Sequence, residues 1–159
     1  MSKTKKLVCA AMVAAMYVAL TLISASVGLA SGAIQLRISE ALVILPCFMP
    51  EAIAGLTLGC AISNLLTGCA LWDIVFGSLA TLLGAVLTYL FRKNRWLAPV
   101  FPILANAAVI PPVLMLVYGS TGTYWYLLLT VAAGEIISCG IFGQLLYSAV
   151  KKVMKQKSE

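Results

Sequence analysis

Histidine is absent from this chain, and acids are scarce: five Asp and Glu stand against eleven Lys and Arg. Without histidine, His-assisted serine or cysteine chemistry and His-ligated metal sites are excluded. No G-x-x-x-x-G-K-[ST] run occurs, so the chain does not hold ATP through a Walker loop. The glycine-rich Gly119–Tyr124 stretch lacks the lysine. Cys9, Cys47, Cys60, Cys69 and Cys139 form no C-x-x-C pair and lie among apolar neighbours. They read as small core residues rather than disulfide partners or metal ligands, and no cofactor is expected. Charge of either sign makes up only 10% of the chain, whereas 62% is hydrophobic. Soluble domains carry roughly 45–50% apolar and about 25% charged residues. A water-soluble fold is therefore excluded. At about 20 residues per crossing, 159 residues allow about six spans and no soluble catalytic domain.

The net charge of +6 resolves into clusters. Lys3, Lys5 and Lys6 form one; Arg92, Lys93 and Arg95 a second; Lys151, Lys152, Lys155 and Lys157 a third. Each flanks a long apolar stretch, and the positive-inside rule assigns all three to the cytoplasm. A nucleic-acid surface is the rival reading, but no basic stretch interleaved with aromatics carries one. Even numbers of crossings must separate the clusters; Leu7–Phe91 has room for four and Leu97–Val150 for two. The expectation is an all-α integral membrane protein, a single bundle of six transmembrane helices with both termini cytoplasmic. The spans are Leu7–Ala30, Leu36–Met49, Glu51–Thr67, Trp72–Phe91, Leu97–Val117 and Tyr124–Val150. The second is short and charged, so its boundaries are the least defined. A cleavable signal peptide is the alternative for the first, but its apolar run exceeds a typical h-region of about 7–15 residues.

Lipid provides no hydrophobic drive for helix association, so small residues must allow close packing. Gly55, Gly59, Ser63 and Thr67 share one face of the third span, and Asp73, Gly77 and Thr81 one face of the fourth, with Gly84 and Thr88 nearby. Both stripes are expected inside the bundle. The first helix has two alanine series, Ala10–Ala14 and Ala11–Ala15–Ala19. Either internal packing or docking of another membrane protein accounts for them.

Ionisable groups inside a span cost roughly 2.5–3.5 kcal/mol each at a helix centre. Arg37, Glu40, Asp73 and Glu135 are nevertheless kept in or beside spans. Arg37 and Glu40 are three apart near the outer end of the second helix and could form an ion pair. Asp73 starts the fourth helix, where it could cap. Asn64 sits about one turn from the outer end of the third helix, and Asn106 lies near the midplane of the fifth. Glu135 lies eleven residues beyond Tyr124, about 16 Å deep, with no capping role to explain it. Glu51, after Pro50 at a cytoplasmic helix start, reads as structural. The layout is a polar pocket open to the outside over an apolar floor. Trp72, Tyr124, Trp125 and Tyr126 lie at outer helix ends as interfacial anchors, although Trp72 or Trp125 could stack on a planar solute. Carboxylates and amides together suit a small planar molecule with a guanine-like edge, and an extra acid favours a cationic amine.

The run Ile34-Gln35-Leu36-Arg37-Ile38-Ser39-Glu40-Ala41-Leu42, with Leu45-Pro46 and Pro50 after it, resembles the QueT family. So do Trp72-Asp73-Ile74-Val75-Phe76-Gly77-Ser78-Leu79-Ala80-Thr81-Leu82 and Ile103-Leu104-Ala105-Asn106-Ala107. The likeness runs over almost the whole chain. It implies a substrate-binding S component of an energy-coupling factor (ECF) importer, with a queuosine precursor as cargo, a 7-deazaguanine such as 7-aminomethyl-7-deazaguanine or queuine. The implied partners are the transmembrane coupling protein EcfT and two cytoplasmic ECF ATPases, which would hydrolyse the ATP. The implied docking face is Ala11, Ala15 and Ala19, and the S component topples in the bilayer to deliver its solute. Arg37, Glu40, Asp73 and Asn106 fall in the matching runs; Asn64, Trp72, Trp125 and Glu135 complete the expected ligand set. An S component for another vitamin or nucleobase remains open, as does a stand-alone pore or proton-coupled carrier using Glu135. An intramembrane enzyme lacks any nucleophile–base arrangement.

Overall fold

A computed structural model of the chain describes residues 2–29, 36–120 and 122–156. Ala30, Ile34, Gln35 and Lys157, which figure in the expectations above, lie outside the described residues. The elements are α1 (Lys3–Ser26), a 3₁₀ helix (Ile38–Cys47), α2 (Ala52–Leu66), α3 (Leu71–Leu90), α4 (Val100–Tyr118) and α5 (Tyr124–Gln156). Among the described residues there is no strand. Helices α1, α3, α4 and α5 are each long and apolar enough to cross a membrane. This is an all-helical, multi-pass membrane protein.

The second element departs most from expectation. Instead of an α-helical span over Leu36–Met49, the chain forms a ten-residue 3₁₀ helix. A 3₁₀ rise of about 2.0 Å per residue carries ten residues about 20 Å, where an α-helix would reach about 15 Å. Its surroundings explain why such backbone is tolerated at membrane depth. Every residue from Ser39 to Pro46 is buried, and irregular backbone survives in a bilayer only when protein encloses it. Ser24 Oγ accepts from Ile38 N at 3.1 Å, and the Thr21 and Ser39 hydroxyls lie 2.7 Å apart, so α1 holds the start of this segment.

Small residues set the other contacts. A Cβ on Gly55 would lie 2.4 Å from the Ala10 carbonyl oxygen, and one on Gly59 2.8 Å from Tyr17 Cβ. Helix α2 therefore sits against the Ala10–Val13–Ala14–Tyr17 face of α1. A Cβ on Gly84 would meet Pro102 Cα at 2.8 Å, which brings α3 and α4 together. Thr88 Oγ1 donates to the Ala98 carbonyl at 3.0 Å across the same pair. The glycine stripes are thus interior, although Thr67 at the end of the first is exposed.

The basic clusters gather at one end. Lys6 Nζ lies 3.5 Å from Glu51 Oε1, joining the starts of α1 and α2. The Gln144 side-chain amide donates to the Arg95 carbonyl, and the Arg95 guanidinium lies 4.5 Å from the Trp96 ring centre and 5.8 Å from that of Tyr147. The positive-inside rule makes this the cytoplasmic end. Glu51 thus acts through an ion pair, with no cap hydrogen bond of its own.

Candidate functional site

At the opposite end the helices part around a cavity of about 630 Å³. Asp73, Tyr118, Ser120 and Tyr126 line its outer part; Thr21, Asn106, Thr130 and Glu135 line its deep part, with Arg37 on one wall. This volume lies in the range of small-molecule sites, about 300–1,000 Å³.

The outer acid is held from two helices. Asp73 Oδ2 accepts from Tyr118 Oη at 3.1 Å, and that phenol oxygen accepts from Ala70 N at 3.0 Å. The cap of α3 is Ala70, without a side-chain cap bond, so Asp73 faces the cavity from the first turn rather than capping. Next to it, the Arg37 guanidinium donates to Asn64 Oδ1. The Asn64 amide in turn reaches the Asp73 carbonyl at 3.5 Å. Gly77 leaves space for this amide, since a Cβ there would come within 3.1 Å of Asn64 Nδ2.

The Arg37–Glu40 ion pair that the three-residue spacing allowed does not form. Arg37 precedes the 3₁₀ helix with extended backbone (φ −105°, ψ 101°), and its guanidinium donates to Asn64 rather than to Glu40. Glu40 instead accepts from the Tyr17 hydroxyl. The ion pair found among the described residues is Lys6–Glu51.

Deepest lies Glu135, 8% exposed, with Glu40 at 1% beside it. Asn106 Nδ2 donates to Glu135 Oε1 at 3.0 Å. Cys139 Sγ lies 3.2 Å from Glu135 Oε2 and 3.3 Å from the Glu40 carbonyl. A π-helical stretch, Ile136–Phe142, begins directly after Glu135. Such wider turns interrupt α-helices most often at functional sites, and this one carries Cys139 against Glu40.

The structure therefore brings Arg37, Asn64, Asp73, Asn106, Glu135 and Glu40 into one network, with Glu40 and Asn64 behind the cavity wall. Trp72 and Trp125 lie elsewhere. Trp72 is 58% exposed and stacks on Phe76 along a separate apolar groove between α3 and α4. Trp125 is 68% exposed and meets only the edge of Tyr124 among aromatic rings. Tyr118 and Tyr126 are the aromatics of the cavity. Tyr17 is not singled out by the sequence, and Cys139, read there as a small core residue, proves to touch both acids. A tyrosine near mid-span, away from the interfacial belts where tyrosine gathers, was the available signal for the first. The i, i+4 spacing of Glu135 and Cys139 was the signal for the second.

The sequence pattern of the family described as QueT transporter matches residues 7–152. The chain belongs to this family. The queuosine precursor transporter QueT of Lactococcus lactis subsp. cremoris is 39% identical over 98 residues, covering 58% of this chain. The match spans 57% of that relative's own length, a little over half of it. No solved structure matches the chain. All six polar residues of the network lie within the part matched to the QueT family.

Proposed function

We propose that this QueT-family chain is the substrate-binding S component of an ECF-type importer, taking up a 7-deazaguanine precursor of queuosine. The observation that carries the reading is the cavity opposite the basic end, walled by Arg37, Asp73, Asn106 and Glu135. Carboxylates and amides on one wall suit the adjacent N–H donors of a guanine-like edge. The likeness to a queuosine precursor transporter supports the same solute class.

The partners would be EcfT and two cytoplasmic ATPases, which hydrolyse ATP on the chain's behalf. The exposed Ala11, Ala15 and Ala19 of α1 support a docking face, since the other alanine series packs against α2. Helix α1 is also the least covered long span, 22% buried in its most apolar window against 33–39% in the others. Docking there would let the chain topple and present the cavity inward.

Calorimetric titration of the purified chain tests the solute. A 7-deazaguanine is expected to saturate, guanine and riboflavin are not, and Asp73→Asn or Glu135→Gln weakens binding. Wild-type affinity in both variants would place the site elsewhere. Uptake that persists without any ATPase would favour a stand-alone carrier.

A further inference from the structure

Glu40 and Glu135 form a pair of acids at the base of the network, and neither makes an ion pair with a Lys or Arg side chain. A carboxylate oxygen of Glu40, one of Glu135 and the Cys139 sulfur lie within 4.8 Å of one another. Glu135 has both oxygens engaged, by Asn106 at 3.0 Å and by the Cys139 thiol at 3.2 Å. Glu40 differs. Its Oε1 accepts from Tyr17, but its Oε2 is buried without any hydrogen-bond partner. A buried carboxylate oxygen left open is a costly arrangement that a donor group would relieve.

The charges around the pair do not supply that donor. Helix α1 contributes Tyr17, α2 Cys60 and α5 Cys139; α4 contributes the uncharged Asn106, and Asp73 of α3 acts on Arg37 rather than on the pair. Arg37 is the nearby cation, and its guanidinium is turned to Asn64. With Arg37 counted against Glu40 and Glu135, the deep cluster keeps one formal negative charge in excess. Isolated buried charge is strongly disfavoured at this depth.

We propose that Glu40 and Glu135 are a cation site for an ammonium group on the transported base, and that the pair holds one proton until that ammonium displaces it. The inference rests on the solute reading above and narrows it to bases carrying an amine. In the exchange the ammonium keeps its own protons. One carboxyl O–H bond breaks, and its proton leaves through the cavity to water at the outer side. The pair itself goes from one negative charge to two, and the ammonium's positive charge returns the occupied site to one. An ammonium entering beside Glu135, which lines the cavity, suits the open Glu40 Oε2 just behind it, because it brings three N–H donors and no acceptor.

Calorimetry on the full chain tests this with 7-aminomethyl-7-deazaguanine and unsubstituted 7-deazaguanine, in buffers of different ionisation enthalpy. The aminomethyl base is expected to bind about 10- to 100-fold tighter. It releases about one proton, so its affinity rises about tenfold per pH unit while the pair is protonated. The unsubstituted base releases none. In Glu40→Gln and Glu135→Gln the ratio of the two affinities falls towards one; the wild-type pH series needs no variant to fold. Equal affinities without proton release overturn the inference and leave the solute reading standing. Binding of neither base overturns both. Uptake of Zn²⁺ or Mn²⁺ that is lost in Glu40→Gln overturns it in favour of a metal site.

Discussion

The two ends of this bundle use the same helices for opposite purposes. Towards the basic end α1 and α2 touch backbone to backbone, with Gly55 against Ala10 and no room for a Cβ. Towards the other end Thr21 of α1 and Arg37, just before the 3₁₀ helix, face a cavity of about 630 Å³. Close packing gives dispersion contacts in a solvent that offers no hydrophobic drive. The polar network needs space and satisfied partners instead. The closest α1–α2 contact lies towards the basic end, and the buried acids lie towards the other.

The largest break in this contrast is expected from Gly55→Val. The obstructing atom is backbone, which cannot turn aside, so the loss should reach about 3 kcal/mol or more. Thermal unfolding in detergent measures it; an unchanged Tm would mean that the α1–α2 contact is not what holds the closed end. Asn106→Leu comes next, because it leaves Glu135 Oε1 without its amide donor. A cost of about 1–3 kcal/mol in Tm-derived stability is expected, together with weaker ligand binding. Tyr17→Phe, which removes the donor to Glu40, should cost about 1–2 kcal/mol in the same assay.

A finer comparison lies within α1 itself. Ala14 faces Gly59, whose Cβ would come 3.1 Å from Ala14 Cα, whereas Ala15 is exposed. Ala14→Leu should therefore lower Tm, with an overpacking cost of about 1–3 kcal/mol. Ala15→Leu should leave Tm and ligand affinity in place but reduce co-purification with the proposed coupling subunits. Equal effects of the two on Tm would remove the support for a docking face. The smallest effect is expected from Trp125→Phe, whose ligand affinity should match wild type in calorimetry because the ring lies outside the cavity.

Much of this was legible in the chain. The apolar runs and basic clusters specify the long spans and the common end of their flanks, because hydropathy and flanking charge act locally. The interior glycine stripes follow from four-residue spacing. Intramembrane Asp73, Asn106 and Glu135 could be singled out because polar groups there need partners. The pairing of those groups was not legible. Spacing suggested Arg37 with Glu40, and the 3₁₀ start separated them; spacing gave no reason to join Glu40 to Tyr17 or to bring it near Glu135. Nor could composition tell that the Trp72 and Trp125 rings stay outside the cavity while Tyr118 and Tyr126 enter its wall.

The sequence by itself determined that this is a multi-pass helical membrane protein of the QueT family, with its charge confined to one set of helix ends and a few buried positions. Those properties depend on residues close together along the chain and on their cost of transfer into lipid. Only the tertiary structure decided which alanine series of α1 is buried, which oxygen of Glu40 is left open, and that Glu40 and Glu135 meet. Each of these depends on the rotation and separation of helices remote in sequence. Close contacts at Gly55, Gly59 and Gly84 fix that geometry, and no local pattern encodes it.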